Sequence, residues 1–127
     1  MQVENNFEEL HIFEDKDMNK VCDALFNFVK KHSGEEISIC GSIAKIFSDK
    51  LPSIYKPKDV DFVVSKSAFV QLTRMKINMN NIVTIEKQPN RLIFYTLGSA
   101  CVELWAFDSE DENKVKKYYK NKISYLI

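Results

Sequence analysis

Three acidic residues and one glycine–serine pair carry the chemistry that this chain's residue types allow. Asp59 and Asp61 stand two apart at the front of an apolar run, "DVDFVV". In a strand, that spacing sends both carboxylates to one face and Val60, Phe62 and Val64 to the other. Paired carboxylates repel each other, so such a triplet either begins a solvated strand or shares a cation. Mg²⁺ suits the second role because it takes hard oxygen ligands and divides them between carboxylates and substrate phosphates. Glu103 is the third acid, set in the middle of "ACVELWAF", where burial without a partner is costly. Plain alternation puts Glu103 on a solvent-facing side, but its same-face neighbours would be Cys101, Trp105 and Phe107, which are not typical of a wet face. Placed beside the Asp59–Asp61 strand, it instead completes a three-acid cluster around two metal ions.

Earlier in the chain, Gly41 and Ser42 follow the apolar run "EISIC". A strand that ends in glycine and runs into a helix exposes backbone N–H groups at the positive end of the helix dipole, a natural seat for phosphate. Gly41 would let a ligand come close to the backbone, and Lys45, one turn on, would add positive charge. The same pattern also serves as an ordinary structural turn.

These residues need elements to position them. Asp17 is expected to cap a helix carrying Met18, Val21, Cys22, Leu25, Phe28 and Val29, with Gly34 as its stop. Glu36 to Cys40 reads as a strand. Ser42 is expected to cap a helix with Ile43, Ile46, Phe47 and Leu51, ended by Pro52. Asp59 to Val64 reads as a second strand, and Ser65 or Ser67 as the cap of a helix with Phe69, Leu72, Met75 and Met79. "NIVTIEK", "RLIFYT" and "CVELWAF" follow as three strands joined by hairpin turns. The segment from Asn113 to Ile127 is expected to be helical. The order α-β-α-β-α-β-β-β-α predicts an α+β fold, a mixed β-sheet with helices packed against it.

The bulk properties bound the function. The 127 residues fit a single domain spanning 1–127, and 45% hydrophobic with 28% charged residues suits a globular chain. A formal net charge of zero argues against a chain whose main task is coating nucleic acid. Cys22, Cys40 and Cys101 are far apart and form neither a disulfide framework nor a zinc site, and Cys40 and Cys101 are expected to be buried. The acidic beginning is no signal peptide, and no apolar run is long enough to cross a bilayer, so a reducing cytoplasm and no membrane partner are expected.

The succession strand–Gly41–Ser42–helix, then Asp59-x-Asp61 on a strand, then Glu103 on a later strand, resembles the nucleotidyltransferase superfamily, whose best-known member is DNA polymerase beta. The small stand-alone members, the minimal nucleotidyltransferases, are close to this chain in length, and the match spans roughly residues 36 to 107. The resemblance implies a nucleotidyltransferase-like fold and metal-dependent transfer of a nucleoside monophosphate from an NTP to a hydroxyl of a protein, RNA or small molecule. It implies that Asp59, Asp61 and Glu103 bind two Mg²⁺ or Mn²⁺ ions, and that Gly41, Ser42 and Lys45 bind the triphosphate. It also implies a possible helical partner protein, as in toxin–antitoxin-like modules. Three features depart from the family pattern: Ile43 replaces a basic residue, "LPSIYKPK" lengthens the connector, and the third acid is Glu rather than Asp. They motivate an alternative, a catalytically inert binding or regulatory module of the same fold.

Two further motifs stand outside this pattern. "KVKKYYKNKISY" is either a basic, aromatic surface for RNA or nucleotide, or an amphipathic helix that packs Val115, Tyr118, Tyr119 and Ile123. His11 and His32 belong to no metal pattern, Trp105 and the phenylalanines read as core, and Ser42 lacks the G-x-S-x-G context of an acyl-transfer nucleophile.

Overall fold

Alternation along three strands divides the sheet into a core face and an outer face. In the computed structural model, which describes residues 6–10, 12–48, 59–79, 81–98, 100–108, 116–120 and 122–126, β2 (Val60–Ser65), β4 (Arg91–Thr96) and β5 (Cys101–Phe107) send Val60, Phe62, Leu92, Phe94, Val102 and Leu104 into the core. Their alternate residues, Asp61, Arg91, Ile93, Tyr95, Cys101, Glu103 and Trp105, share the outer face. With β1 (Ser38–Cys40), β3 (Ile82–Gln88), β6 (Lys117–Lys120) and β7 (Ile123–Leu126) they form a seven-stranded sheet. Its order is β3-β4-β5-β2-β1-β7-β6. β2 runs parallel to β5 and β1 parallel to β7, while the other neighbours are antiparallel. Together with the helices α1 (Asn6–Glu9), α2 (Lys16–Ser33), α3 (Gly41–Phe47) and α4 (Lys66–Thr73), this is the mixed sheet with packed helices that the sequence predicts.

Helix α2 is the main cover of the core face. Met18, Val21, Cys22, Leu25, Phe26 and Val29 are all buried along one side, at the spacing that brings helical residues onto one stripe. Its N-cap is Asp15 rather than Asp17: the Asp15 carboxylate accepts the Asp17 N–H at 2.9 Å. Gly34, at φ 75°, closes the other end by donating its N–H to the Lys30 carbonyl. Ser65 caps α4 by accepting the Ala68 N–H, and Ala68, Phe69 and Leu72 complete the layer, whereas Met75 and Met79 lie beyond the helix.

The short helix α1 was not anticipated. Phe7 is fully buried and meets Phe26 and Phe62 edge-on, with ring centroids 6.4 and 5.5 Å away. The buried Asp23 carboxylate accepts the N–H groups of Phe7 and Glu8 at 2.9 and 3.2 Å and so ties α1 to α2. Burial pushes the Asp23 pKa up to about 6; the two N–H bonds oppose that rise.

Several sequence expectations are corrected. The C-terminal segment expected to be helical is a hairpin of strands wherever it is described. Ile123, Ser124 and Leu126 are buried because β7 is inserted between β1 and β6. The Ser124 hydroxyl lies 2.7 Å from that of Ser38 and donates to the Ile37 carbonyl at 3.1 Å, a pairing 86 residues apart that local periodicity does not encode. The first strand starts at Ser38 rather than Glu36. Ser42 does not cap α3: Cys40 occupies that position without a side-chain hydrogen bond, and Ser42 lies in the first turn. Leu51, Pro52 and His11 fall outside the described residues. Cys22 is the buried thiol, while Cys40 and Cys101 are partly exposed on the outer face. Trp105 is also on that face, 38% exposed, rather than in the core.

Candidate functional site

The parallel pairing of β2 with β5 sets Asp61 directly beside Glu103, with Val60 beside Val102 and Phe62 beside Leu104. Neighbouring strands lie about 4.8 Å apart, so the two carboxyl-bearing residues are immediate neighbours on the outer face. On the other flank, antiparallel β1 places Cys40 opposite Asp61. β1 then passes straight into α3, which brings Gly41 against the Asp61 side chain. Gly41 has φ 72°, and a Cβ built there would lie 2.6 Å from Asp61 Oδ2. The backbone conformation therefore favours glycine, and any side chain there would have to displace the Asp61 carboxylate. Asp59, exposed just before β2, accepts the Cys101 N–H at 2.9 Å and so stands one level along the same face.

The local charges act on one another. Burial raises the Glu103 pKa above its ordinary 4.5, and a hydrogen bond and repulsion from Asp61 raise it further. Arg91 opposes the rise. Its Nη1 donates to Glu103 Oε1 at 2.7 Å, its Nε and Nη2 donate to Gln88 Oε1 at 3.0 and 2.7 Å, and its guanidinium lies 4.8 Å from the Trp105 ring centre. The thiols register the same cluster. Burial, followed by the charges of Asp61 and Glu103, pushes Cys40 up to about 12. Burial together with Asp59, Glu103 and Asp61 pushes Cys101 up to about 11. Neither thiol is an activated nucleophile at neutral pH.

Asp59, Asp61, Glu103 and Gly41 are thus brought together, with Ser42 next to Gly41 on α3. Lys45 is exposed on the same helix. Ile43, at the position where the family pattern has a basic residue, is 1% exposed and belongs to the core. Arg91, Gln88 and the outward Trp105 were missed in the sequence. A signal was present: Arg91 is one of two arginines in the chain and opens a strand after a short turn, but its diagonal reach to Glu103 depends on a register that only the fold reveals.

Among the described residues no group of three or more His, Cys, Asp or Glu side chains could hold a metal ion as placed. The donor chemistry nonetheless fits a hard divalent cation shared with a substrate. All candidate ligands are carboxylates; burial and then Asp61 make Glu103 hold its proton more tightly, while Arg91 opposes that rise. Mg²⁺ is commonly held by one or two carboxylates plus phosphate oxygens rather than by an all-protein cage. Among the described residues no helix is long and apolar enough to cross a membrane. The chain matches no family model, no curated protein and no solved structure.

Proposed function

We propose that the chain transfers a nucleoside monophosphate from an NTP to a hydroxyl group. The observation that supports this reading above all others is the register: Asp61 is paired with Glu103 across parallel strands while Gly41 abuts the Asp61 carboxylate. The acceptor oxygen attacks the α-phosphorus, the bond to pyrophosphate breaks, and the hydroxyl proton is lost. Asp59 and Asp61, with Glu103, would hold Mg²⁺, which when bound neutralises phosphate charge and lowers the pKa of the attacking hydroxyl. Gly41 lets the start of the helix lie against the Asp61 carboxylate, and Ser42 and Lys45 would offer a hydroxyl and a positive charge to the phosphates from the same helix. Arg91 keeps Glu103 oriented on the outer face while no substrate is bound.

Calorimetric titration of each NTP, with Mg²⁺ and then with EDTA, tests the reading against the Asp59→Asn/Asp61→Asn variant. Metal-dependent binding that disappears in the variant is expected. Absence of binding for every NTP would overturn the proposal in favour of an inert module of the same architecture. Two observations favour that second reading: Ile43 is committed to the core, and Arg91 occupies an oxygen of Glu103.

A further inference from the structure

The C-terminal hairpin carries a motif that nucleotidyl transfer does not use. Residues 116–120 and 122 contain Lys116, Lys117, Lys120 and Lys122 together with Tyr118 and Tyr119, and no acid. The whole chain has a formal charge of zero, so charge is segregated and the remainder is net acidic. An amphipathic helix would have turned these tyrosines inward. As strand β6, the last of the sheet, the segment leaves all four of its residues exposed, with Tyr118 at 41% and Tyr119 at 61%.

Alternation gives each face of this edge one ammonium group and one ring: Lys117 with Tyr119, and Lys120 with Tyr118. The Tyr118 ring is already stacked on Tyr125, with centroids 5.7 Å apart and an interplanar angle of 23°. Tyr125 meets Phe47 edge-on at 5.4 Å, and Lys120 Nζ lies 5.1 Å from the Phe47 ring centre. The Tyr118 ring therefore belongs to a braced pile that reaches back to α3. Lysines that bind phosphates, interleaved with exposed rings on which bases stack, are the two components of single-strand recognition. An acidic peptide would use the lysines and leave both rings idle, and a duplex would keep its bases from the rings.

We propose that the β6 edge, braced by Tyr125 and Phe47, binds single-stranded RNA. RNA is the committed occupant because most single-stranded polynucleotide in a cell is RNA and the tyrosine hydroxyls can pair with 2′-hydroxyls. Binding here rests on the exposed strand and is independent of the nucleotidyl-transfer reading.

The test is fluorescence anisotropy of a fluorescein-labelled twelve-nucleotide oligouridylate mixed with the full chain, over about 50–200 mM salt. Affinity is expected to fall linearly on a log–log plot, and Lys117→Glu/Lys120→Glu should reduce the slope by roughly 1.4, two contacts at about 0.7 each. Tyr118→Ala/Tyr119→Ala should weaken binding roughly 5- to 150-fold for each base that loses its stack, with the salt slope retained. Tyr119→Ala alone, at the more exposed of the two rings, guards against a folding defect, and circular dichroism melts monitor all variants. Asp59→Asn/Asp61→Asn should bind the oligonucleotide normally, which separates this surface from the acidic site. Absence of binding at the lowest salt, tyrosine variants as tight as the parent, or duplex RNA bound as tightly as single strand would each overturn the proposal. Tighter binding of a poly-glutamate peptide would also overturn it and assign the edge to an acidic protein.

Discussion

Replacing Gly41 with alanine tests how the glycine turn and the acid strand depend on each other. The residue has φ 72°, a region where an L-residue pays roughly 1–2 kcal/mol. The new methyl carbon would also lie 2.6 Å from Asp61 Oδ2, whereas ordinary contact begins at 3.4 Å, so the carboxylate must retreat by about 0.8 Å. Gly34 is a natural control: its φ is 75°, and an added Cβ would meet nothing within 4 Å. In urea denaturation Gly34→Ala should therefore show the backbone penalty alone, and Gly41→Ala that penalty plus the clash. In the Asp61→Ala background the clash disappears, so Gly41→Ala should cost only about as much as Gly34→Ala, and a double-mutant cycle reads the difference directly. Displacing a reacting group by about 1 Å commonly costs about a hundredfold in rate. Gly41→Ala should accordingly lose Mg²⁺-dependent NTP binding or turnover by one to two orders of magnitude, with Gly34→Ala unaffected. Equal destabilisation of the two variants, or Gly41→Ala with undiminished NTP binding, would refute the reasoning.

Two further perturbations concern buried or half-buried charge. Arg91→Ala removes a charge-assisted hydrogen bond and the contact with Trp105, which should cost about 2–3 kcal/mol at pH 7. Because the folded-state pKa of Glu103 is raised above 4.5, its ionisation costs stability as pH rises beyond 4.5; Arg91 offsets that cost, so the loss in Arg91→Ala should shrink in urea titrations at pH 4. For Asp23, a pKa raised from 3.8 to about 6 means the folded state binds more protons between those values. Its contribution is greatest near pH 4 and is lost as pH rises through 6, by at most about 3 kcal/mol. Asp23→Asn should abolish this component, so the stability difference between variant and parent should move in the variant's favour from pH 4.5 to 7; parallel curves would sink the assignment.

Much of the site could be read from residue order, because its parts are local. "DVDFVV" and "CVELWAF" alternate in a way that only a two-faced strand satisfies, and the glycine between an apolar run and a helix marks a turn wherever it occurs. What the sequence withholds is pairing. Nothing local states that β2 and β5 lie side by side in parallel, or that Arg91 reaches diagonally to Glu103. The C-terminal segment misled for the same reason: Tyr118, Tyr119 and Ile123 fit helical spacing, and the decisive fact, burial of Ser124 against Ser38, is a contact across most of the chain. Asp23 was hidden too, since an acid inside an amphipathic helix reads as solvated until two backbone N–H groups are found facing it.

The insertion of β7 beside β1 also sets an order of events during synthesis. β1, β2 and the Gly41 turn leave the ribosome early, yet the second edge of β1 has no strand to pair with until residues 123–126 have been made. For most of translation, therefore, the strand that feeds the glycine turn sits at an open sheet border, the kind of border that invites pairing with other chains. Closing it requires a contact that spans 86 residues, an entropically slow step. Nascent chains stalled before Ile123 should thus be the species most in need of a chaperone, and a stop codon placed before Ile123 should harm the Gly41 turn, which lies about eighty residues upstream.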